Sequence, residues 1–292
     1  MIFAIKPFEI HDGDGIRTTL FFKGCPLRCK WCHNPESFES KKQMLYNADK
    51  CVNCMKCTNL CDANSFLQDG HIFDREKCNL CGSCVEVCDA KAFEISGKEM
   101  SETELAKELL KDEMFMKGSG GGVTFSGGEP LVQVDLCVEI AKLLKQHDIN
   151  IAIDTSAYTT KEAIDRIVPY TDKFLIDIKA IDENVHKECT GVSNKVILDN
   201  IKYIDSLGKA IEIRYPYVPQ FNDGEVEKIA EFVKRLKNVT CLRILPYHNY
   251  AMGKYTSLGM QYSLSYVETP SKETVLKVVE TMKKYGVDAQ IY

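Results

Sequence analysis

The stretch Gly24-Cys25-Pro26-Leu27-Arg28-Cys29-Lys30-Trp31-Cys32-His33-Asn34-Pro35-Glu36 governs how the rest of the chain is read. Its three cysteines, spaced C-x3-C-x2-C, directly follow an apolar, β-prone run, Arg17–Gly24. A four-iron cube held by three thiolates keeps one iron open. An open coordination position is what distinguishes a catalytic metal site from a structural one. The alternative is a zinc ion held by the same cysteines with His33 as fourth ligand.

Downstream of residue 100 a short β-rich run is followed by a helical stretch, repeatedly. With Arg17–Gly24, the strand candidates are Val123–Gly127, Asn150–Thr155, Lys173–Lys179, Ala210–Val218 and Thr240–Tyr247. Helices are expected over Ser101–Met116, Leu131–His147, Lys161–Val168, Lys195–Leu207, Asp223–Leu236 and Ser271–Tyr285. Such alternation implies parallel strands joined by right-handed crossovers. Six strands point to an α/β fold, a partial (β/α)6 TIM-like barrel rather than a closed eight-fold one. In barrels of this kind the working residues sit at the C-terminal strand ends. The sequence follows that rule at Cys25, Ser126-Gly127-Gly128-Glu129-Pro130, Asp154-Thr155, Asp177 and Lys179, and His248, with Arg214 on the fifth strand. The Gly118–Gly122 stretch lacks the G-K-[S/T] ending of a P-loop and reads as a flexible loop.

Segment 45–97 breaks the pattern and reads as a small insert within a barrel made of 1–44 and 98–292. It contains an internal repeat. Cys51-x2-Cys54-x2-Cys57-x3-Cys61 recurs as Cys78-x2-Cys81-x2-Cys84-x3-Cys88, offset by 27 residues at every position. These runs match those of bacterial two-cluster ferredoxins, in which the fourth cysteine of each run serves the other cluster. One 4Fe–4S cluster then takes Cys51, Cys54, Cys57 and Cys88, and a second takes Cys78, Cys81, Cys84 and Cys61. Asp62 and Asp89 stand where a proline usually follows, which affects the turn and not the ligands. Structural zinc is the alternative, although zinc sites favour two separated C-x2-C pairs. Of the 14 cysteines, Cys137, Cys189 and Cys241 stand alone in apolar surroundings and read as core residues.

The chain has 292 residues and a formal net charge of −5, without a Lys/Arg block, which argues against nucleic acid as a partner. Met1–Ile10 is too short and too broken by Lys6 and Pro7 for a signal sequence. No stretch approaches the ~18 apolar residues of a membrane span. Reduced thiols in a cytoplasmic protein with no membrane partner are therefore expected.

Together with Gly13-Asp14-Gly15-Ile16-Arg17, the cysteine stretch and its W-C-x-N-P-E continuation resemble the glycyl-radical-enzyme activating enzymes, a branch of the radical S-adenosylmethionine (SAM) superfamily. The insert resembles that of the branch's longer members. The resemblance covers almost the whole chain. It implies a SAM-chelating 4Fe–4S cluster on Cys25, Cys29 and Cys32, hence three 4Fe–4S clusters in all. It implies one-electron cleavage of SAM and removal of a glycine Cα hydrogen from a partner glycyl radical enzyme, with a flavodoxin or ferredoxin as electron donor. SAM contacts would come from Asn34, the turn of Gly127, Gly128 and Glu129, Asp154, Lys179, Arg214 and His248. A monovalent cation would sit at Asp154, Thr155 and Asp177, and Asp12 would position the partner's glycine loop. The plainer alternatives are an ordinary turn for the glycines, a solvated acidic rim, structural ion pairs for Lys179 and Arg214, and a structural His248.

Two rival functions remain at this level: an electron carrier without catalysis, and a radical SAM enzyme acting on a small molecule. The long activators serve several lyases, dehydratases and decarboxylases, and no residue selects among them.

Overall fold

In the computed structural model, which describes residues 1–68 and 70–292, the strands in chain order are β1 (Ile2–Glu9), β2 (Arg17–Phe22), β3 (Gln43–Tyr46), β4 (Asn64–Leu67), β5 (Gly70–Phe73), β6 (Phe93–Ser96), β7 (Gly122–Gly127), β8 (Asn150–Thr155), β9 (Lys173–Asp177), β10 (Ala210–Tyr217), β11 (Val239–Pro246) and β12 (Ala289–Ile291). The helices are α1 (Ser83–Val87), α2 (Glu102–Leu109), α3 (Glu113–Ser119), α4 (Val134–Lys145), α5 (Lys161–Ile167), α6 (Glu183–Thr190), α7 (Lys195–Ser206), α8 (Val226–Val233), α9 (Met252–Ser257) and α10 (Lys272–Lys284). One sheet runs β1-β2-β7-β8-β9-β10-β11-β12. β1 is antiparallel to β2, and every other pairing in it is parallel.

The sheet must curl. β1 and β10 are five positions apart, about 24 Å in a flat sheet. Yet Arg214 Nη2 on β10 donates to the His11 carbonyl just after β1, at 2.9 Å. The His11 ring also lies 4.8 Å from that of Tyr292, next to β12. The two edges thus approach each other without pairing, which is the partial barrel expected. The six strands read from sequence are all present. The two missed ones are its edges. β1 carries Lys6 and Pro7, tolerable on an edge where one side of the ladder is free, and β12 has only three residues.

Apolar side chains of the sheet and the flanking helices form the main core. α4 contributes Cys137, Val138, Ile140, Ala141 and Leu144 from one face, and α10 contributes Val275, Val278, Val279 and Met282. Burying each large aliphatic is worth roughly 1.5–3 kcal/mol. Arg17, fully buried, staples the N-terminal ends of three strands. Its guanidinium donates to Thr124 Oγ1 (2.6 Å), the Val123 carbonyl (2.7 Å) and Asn150 Oδ1 (3.1 Å).

Several expectations need correction. Ser101–Met116 is not one helix. α2 starts at a capping box on Ser101 and Glu104, a 3-10 turn at Leu110–Asp112 interrupts it, and α3 continues to Ser119. α6 and α9 were not anticipated. Gly118–Gly122 is not a loose loop throughout. A Cβ on Gly121 would lie 1.9 Å from the Ile16 carbonyl oxygen, and one on Gly122 would lie 2.0 Å from that of Asn150. These glycines let β7 enter the sheet closely between β2 and β8. Cys137 and Cys189 are core residues as expected, whereas Cys241 is only half-buried, its sulfur 3.6 Å from Glu212 Oε2.

The cysteine-rich segment forms its own small unit. β3 pairs with β6, β4 pairs with β5, and Met44, Cys84, Ala92 and Phe93 make a separate core. Arg75 fastens it to the barrel, donating to the Met44 carbonyl (2.6 Å) and to the Ser257 carbonyl at the end of α9 (2.5 Å). Among the described residues, no helix is long and apolar enough to cross a membrane.

Candidate functional site

The Cys25–Cys32 loop leaves the C-terminal end of β2 and is held by main-chain bonds on two sides. Gly24 N donates to the Ser37 carbonyl (2.8 Å). Arg28 N and Lys30 N donate to the carbonyls of Thr190 (2.8 Å) and Cys189 (3.0 Å), around the C-terminal end of α6. The Asn34 N–H points at Cys32 Sγ, 3.4 Å away, and the Leu27 N–H at Cys25. All three cysteines are half-buried. Desolvation pushes their thiols up, Cys25 to about 12. Sulfurs in such surroundings are kept as thiolates by a metal's positive charge.

Beside the loop, the strand ends gather charge. Burial works against the Lys179 ammonium, but Asp177 and then Cys29 outweigh it and raise its pKa. Its Nζ is 2.7 Å from Asp177. Arg214, also buried, has Nη1 at 3.5 Å from Asp154 and 3.7 Å from Asp12, while its Nε has no hydrogen-bond partner. Burial pushes Asp154 up to about 7 against the pull of Arg214, and Ser126 Oγ donates to it at 2.6 Å. The ion pairs of the plainer reading of Lys179 and Arg214 are therefore present. Asp12 accepts a bond from Thr19 Oγ1 (2.8 Å).

Two of the candidate site residues bond to each other within the protein. Glu129 is wholly buried, and its carboxylate accepts from Thr155 Oγ1 (2.7 Å), Ser156 N (2.9 Å), Ser156 Oγ (2.6 Å) and Leu131 N (3.2 Å). That side chain locks the turn to the end of β8 and is engaged by the protein, so the turn's backbone is what can meet a ligand. Thr155 follows Asp154 on the strand, so the two side chains take opposite faces. Its hydroxyl donates to Glu129, which leaves its main-chain carbonyl as the oxygen it can offer a cation beside Asp154 and Asp177. The glycines too have a protein reason. A Cβ on Gly127 would lie 2.4 Å from Phe22 N, and one on Gly128 2.4 Å from the Gly24 carbonyl oxygen.

On the far side of the loop, the rings of His33 and His248 stack at 4.2 Å, and Tyr250 lies 4.2 Å from His248. His248 Nδ1 is buried without a partner. Asn34 Oδ1 accepts from Lys254 Nζ (3.0 Å), which also bonds the His33 carbonyl (2.9 Å) and Glu36 Oε1 (2.6 Å). Tyr255 Oη donates to the Cys32 carbonyl (3.1 Å). Sequence reasoning missed Lys254 and Tyr255, because a six-residue helix gives no periodic signal.

In the insert, Cys51, Cys54, Cys57 and Cys88 line one cavity together with His71. Three of these cysteines come from the first run and one from the second. Among the described residues, no three His, Cys, Asp or Glu side chains converge closely enough to hold one metal ion.

Residues 19–233 match the family model for the radical SAM superfamily. The trans-4-hydroxy-L-proline dehydratase activating enzyme of Clostridioides difficile is 42% identical, over 100% of this chain and 98% of that one. The chain is a radical SAM activating enzyme. The choline trimethylamine-lyase activating enzyme of Oleidesulfovibrio alaskensis is 36% identical, over 100% of this chain and 97% of that one. A solved domain of the pyruvate-formate lyase-activating enzyme from Bacteroides vulgatus superposes with a TM-score of 0.51 at 30% identity, covering 59% of this chain and 99% of that domain. The activity of this radical SAM activating enzyme is reductive cleavage of SAM and installation of a glycyl radical on a partner enzyme.

Proposed function

We propose that Cys25, Cys29 and Cys32 hold the 4Fe–4S cluster that chelates SAM, and that the neighbouring strand ends hold the rest of SAM. The observation that carries this is the position of Lys179, within electrostatic reach of Cys25 and Cys29 and paired with Asp177. A carboxylate placed there meets two buried cations, Lys179 and Arg214, and Arg offers a fork suited to it. Main-chain groups of Gly127 and Gly128, with Asn34 and His248, line the remaining approach. The bound cluster and SAM supply the reducing electron and the hydrogen-abstracting radical. The chain's own residues orient SAM and exclude water. Asp154 and Asp177 are the carboxylates for a monovalent cation, and Asp12 is the contact for the partner's glycine loop.

The insert holds two further 4Fe–4S clusters in a ferredoxin-like arrangement, one on Cys51, Cys54, Cys57 and Cys88 and the other on Cys61, Cys78, Cys81 and Cys84. The cavity shared by Cys88 with the first run supports this pairing. A flavodoxin or ferredoxin supplies the electrons. The partner is a trans-4-hydroxy-L-proline dehydratase, the enzyme served by the relative at 42% identity.

Electron paramagnetic resonance tests the whole reading. The anaerobically reconstituted, reduced protein is given SAM and mixed in turn with candidate glycyl radical enzymes. A glycyl radical with the hydroxyproline dehydratase is the expected result. A signal with another partner overturns the choice of dehydratase. Deoxyadenosine formation driven only by a small molecule overturns the protein-substrate reading.

A further inference from the structure

The two cysteine runs are equivalent in sequence but not in surroundings. His71, on β5, lines the cavity of Cys51, Cys54, Cys57 and Cys88. Its Nε2 lies 3.4 Å from Cys57 Sγ and 3.1 Å from Asn64 Oδ1. Both neighbours are acceptors, so this nitrogen carries the proton. Nδ1 then accepts from the Tyr46 hydroxyl, 2.9 Å away. The imidazole is thereby fixed in orientation and tautomer, with an N–H aimed at a ligand sulfur.

The second run has no imidazole at the matching place; among the described residues its Cys81 Sγ has Ser83 Oγ at 3.5 Å, an exposed contact at a sulfur that water already solvates. Shifted by the repeat's 27 residues, β3 (Gln43–Tyr46) falls on β5 (Gly70–Phe73), and Cys57 falls on Cys84. Met44 is therefore the counterpart of His71. Met44 and Cys84 are indeed buried together in the small core of the insert. A thioether has no proton to donate. Where Cys57 meets a half-buried imidazole N–H, its counterpart Cys84 meets an apolar side chain.

A hydrogen bond to a cluster sulfur favours the reduced, more negative state and raises the reduction potential. We infer that His71 donates to Cys57 and sets the cluster of Cys51, Cys54, Cys57 and Cys88 at a higher potential than its repeat partner. His71 is thus a positioning and tuning residue of the insert. The asymmetry gives electrons entering the insert a preferred resting place. This inference rests on the two-cluster reading of the insert.

The test is a potentiometric titration of the holoprotein followed by electron paramagnetic resonance, with iron measured on each sample. In the unaltered protein, two auxiliary reduction steps are expected apart from that of the SAM cluster. His71→Met removes the imidazole donor, so the higher auxiliary step falls toward the lower and the others stay. His71→Gln keeps an N–H donor and returns most of the difference. Met44→His, which adds a donor opposite Cys84, raises the lower step, and it decides the matter if His71→Met loses iron. Unmoved auxiliary steps in His71→Met and Met44→His, with iron for three clusters retained, overturn the inference. Iron for only one cluster in the unaltered protein overturns the two-cluster reading, and the inference with it.

Discussion

Lys254 Nζ lies 2.6 Å from Glu36 Oε1, and this pair ties α9 to the chain leaving the Cys25–Cys32 loop. Glu36 is buried, and its other oxygen has no partner. Lys254→Met would leave that carboxylate unpaired, at a cost of ~1–3 kcal/mol in stability. It would also free Asn34 and the His33 carbonyl. If loosening the loop raises the barrier by ~1 kcal/mol, deoxyadenosine formation slows about fivefold. Urea melts and a deoxyadenosine assay at constant iron content check both. An unchanged rate would make the tie purely structural.

Glu129→Gln tests the other anchor. Four donors converge on the carboxylate. An amide would turn an NH2 toward one of them, leaving a buried donor without an acceptor. The expected loss is ~1–3 kcal/mol. It should appear in urea melts of the metal-free protein, before any cofactor is bound. An undiminished stability there would return Glu129 to the list of direct SAM contacts.

The parts of this fold that could be read from sequence are those with a repeating signal. The six inner strands and the flanking helices α4, α7 and α10 follow periodic apolar patterns, and the cysteine runs announce themselves by spacing. What escaped has short range or depends on the fold. β1 and β12 are edge strands with little alternation. α9 is too short to show a period, yet it carries Lys254 and Tyr255. That Thr155 turns away from Asp154 follows from strand geometry alone and was legible. That Glu129 is saturated was not, because Thr155 and Ser156 reach it from 26 and 27 residues away in the chain.

Acid should loosen the cysteine loop through His186. This histidine is buried in α6. Its Nδ1 donates to the Val192 carbonyl (2.8 Å), and burial lowers its pKa. The unfolded chain protonates it near 6.5. Below that pH the unfolded state binds the extra proton and the folded state does not. Stability is therefore lost as pH falls from about 6.5 toward the lowered folded value. His186→Gln should flatten that part of the pH profile, read from urea melts at several pH values. The effect matters because Cys189 and Thr190, at the end of the same helix, hold Lys30 and Arg28.

The cation proposal predicts a dependence on the alkali metal present. Asp154 and Asp177 are the two carboxylates at adjacent strand ends, and hard cations take oxygen ligands. Deoxyadenosine formation should differ among potassium, sodium and lithium buffers of equal ionic strength, and Asp177→Asn should reduce the difference. Equal rates in all three would reduce these carboxylates to partners of Lys179 and Arg214.

Cross-ligation in the insert makes a prediction that pairs residues far apart in sequence. Cys88 lines the cavity of Cys51, Cys54 and Cys57, so Cys88→Ala should damage the same cluster as Cys54→Ala. By the repeat, Cys61→Ala should damage the same cluster as Cys81→Ala. Removing one of four thiolates leaves an exposed iron that oxidises or is lost, so up to about four irons per chain disappear in each case. Spectra of the reduced variants decide the pairing. If Cys88→Ala instead matches Cys81→Ala, each run holds its own cluster. The cavity would then be a gap between two independent sites, and His71 would touch only the ligand of the first run.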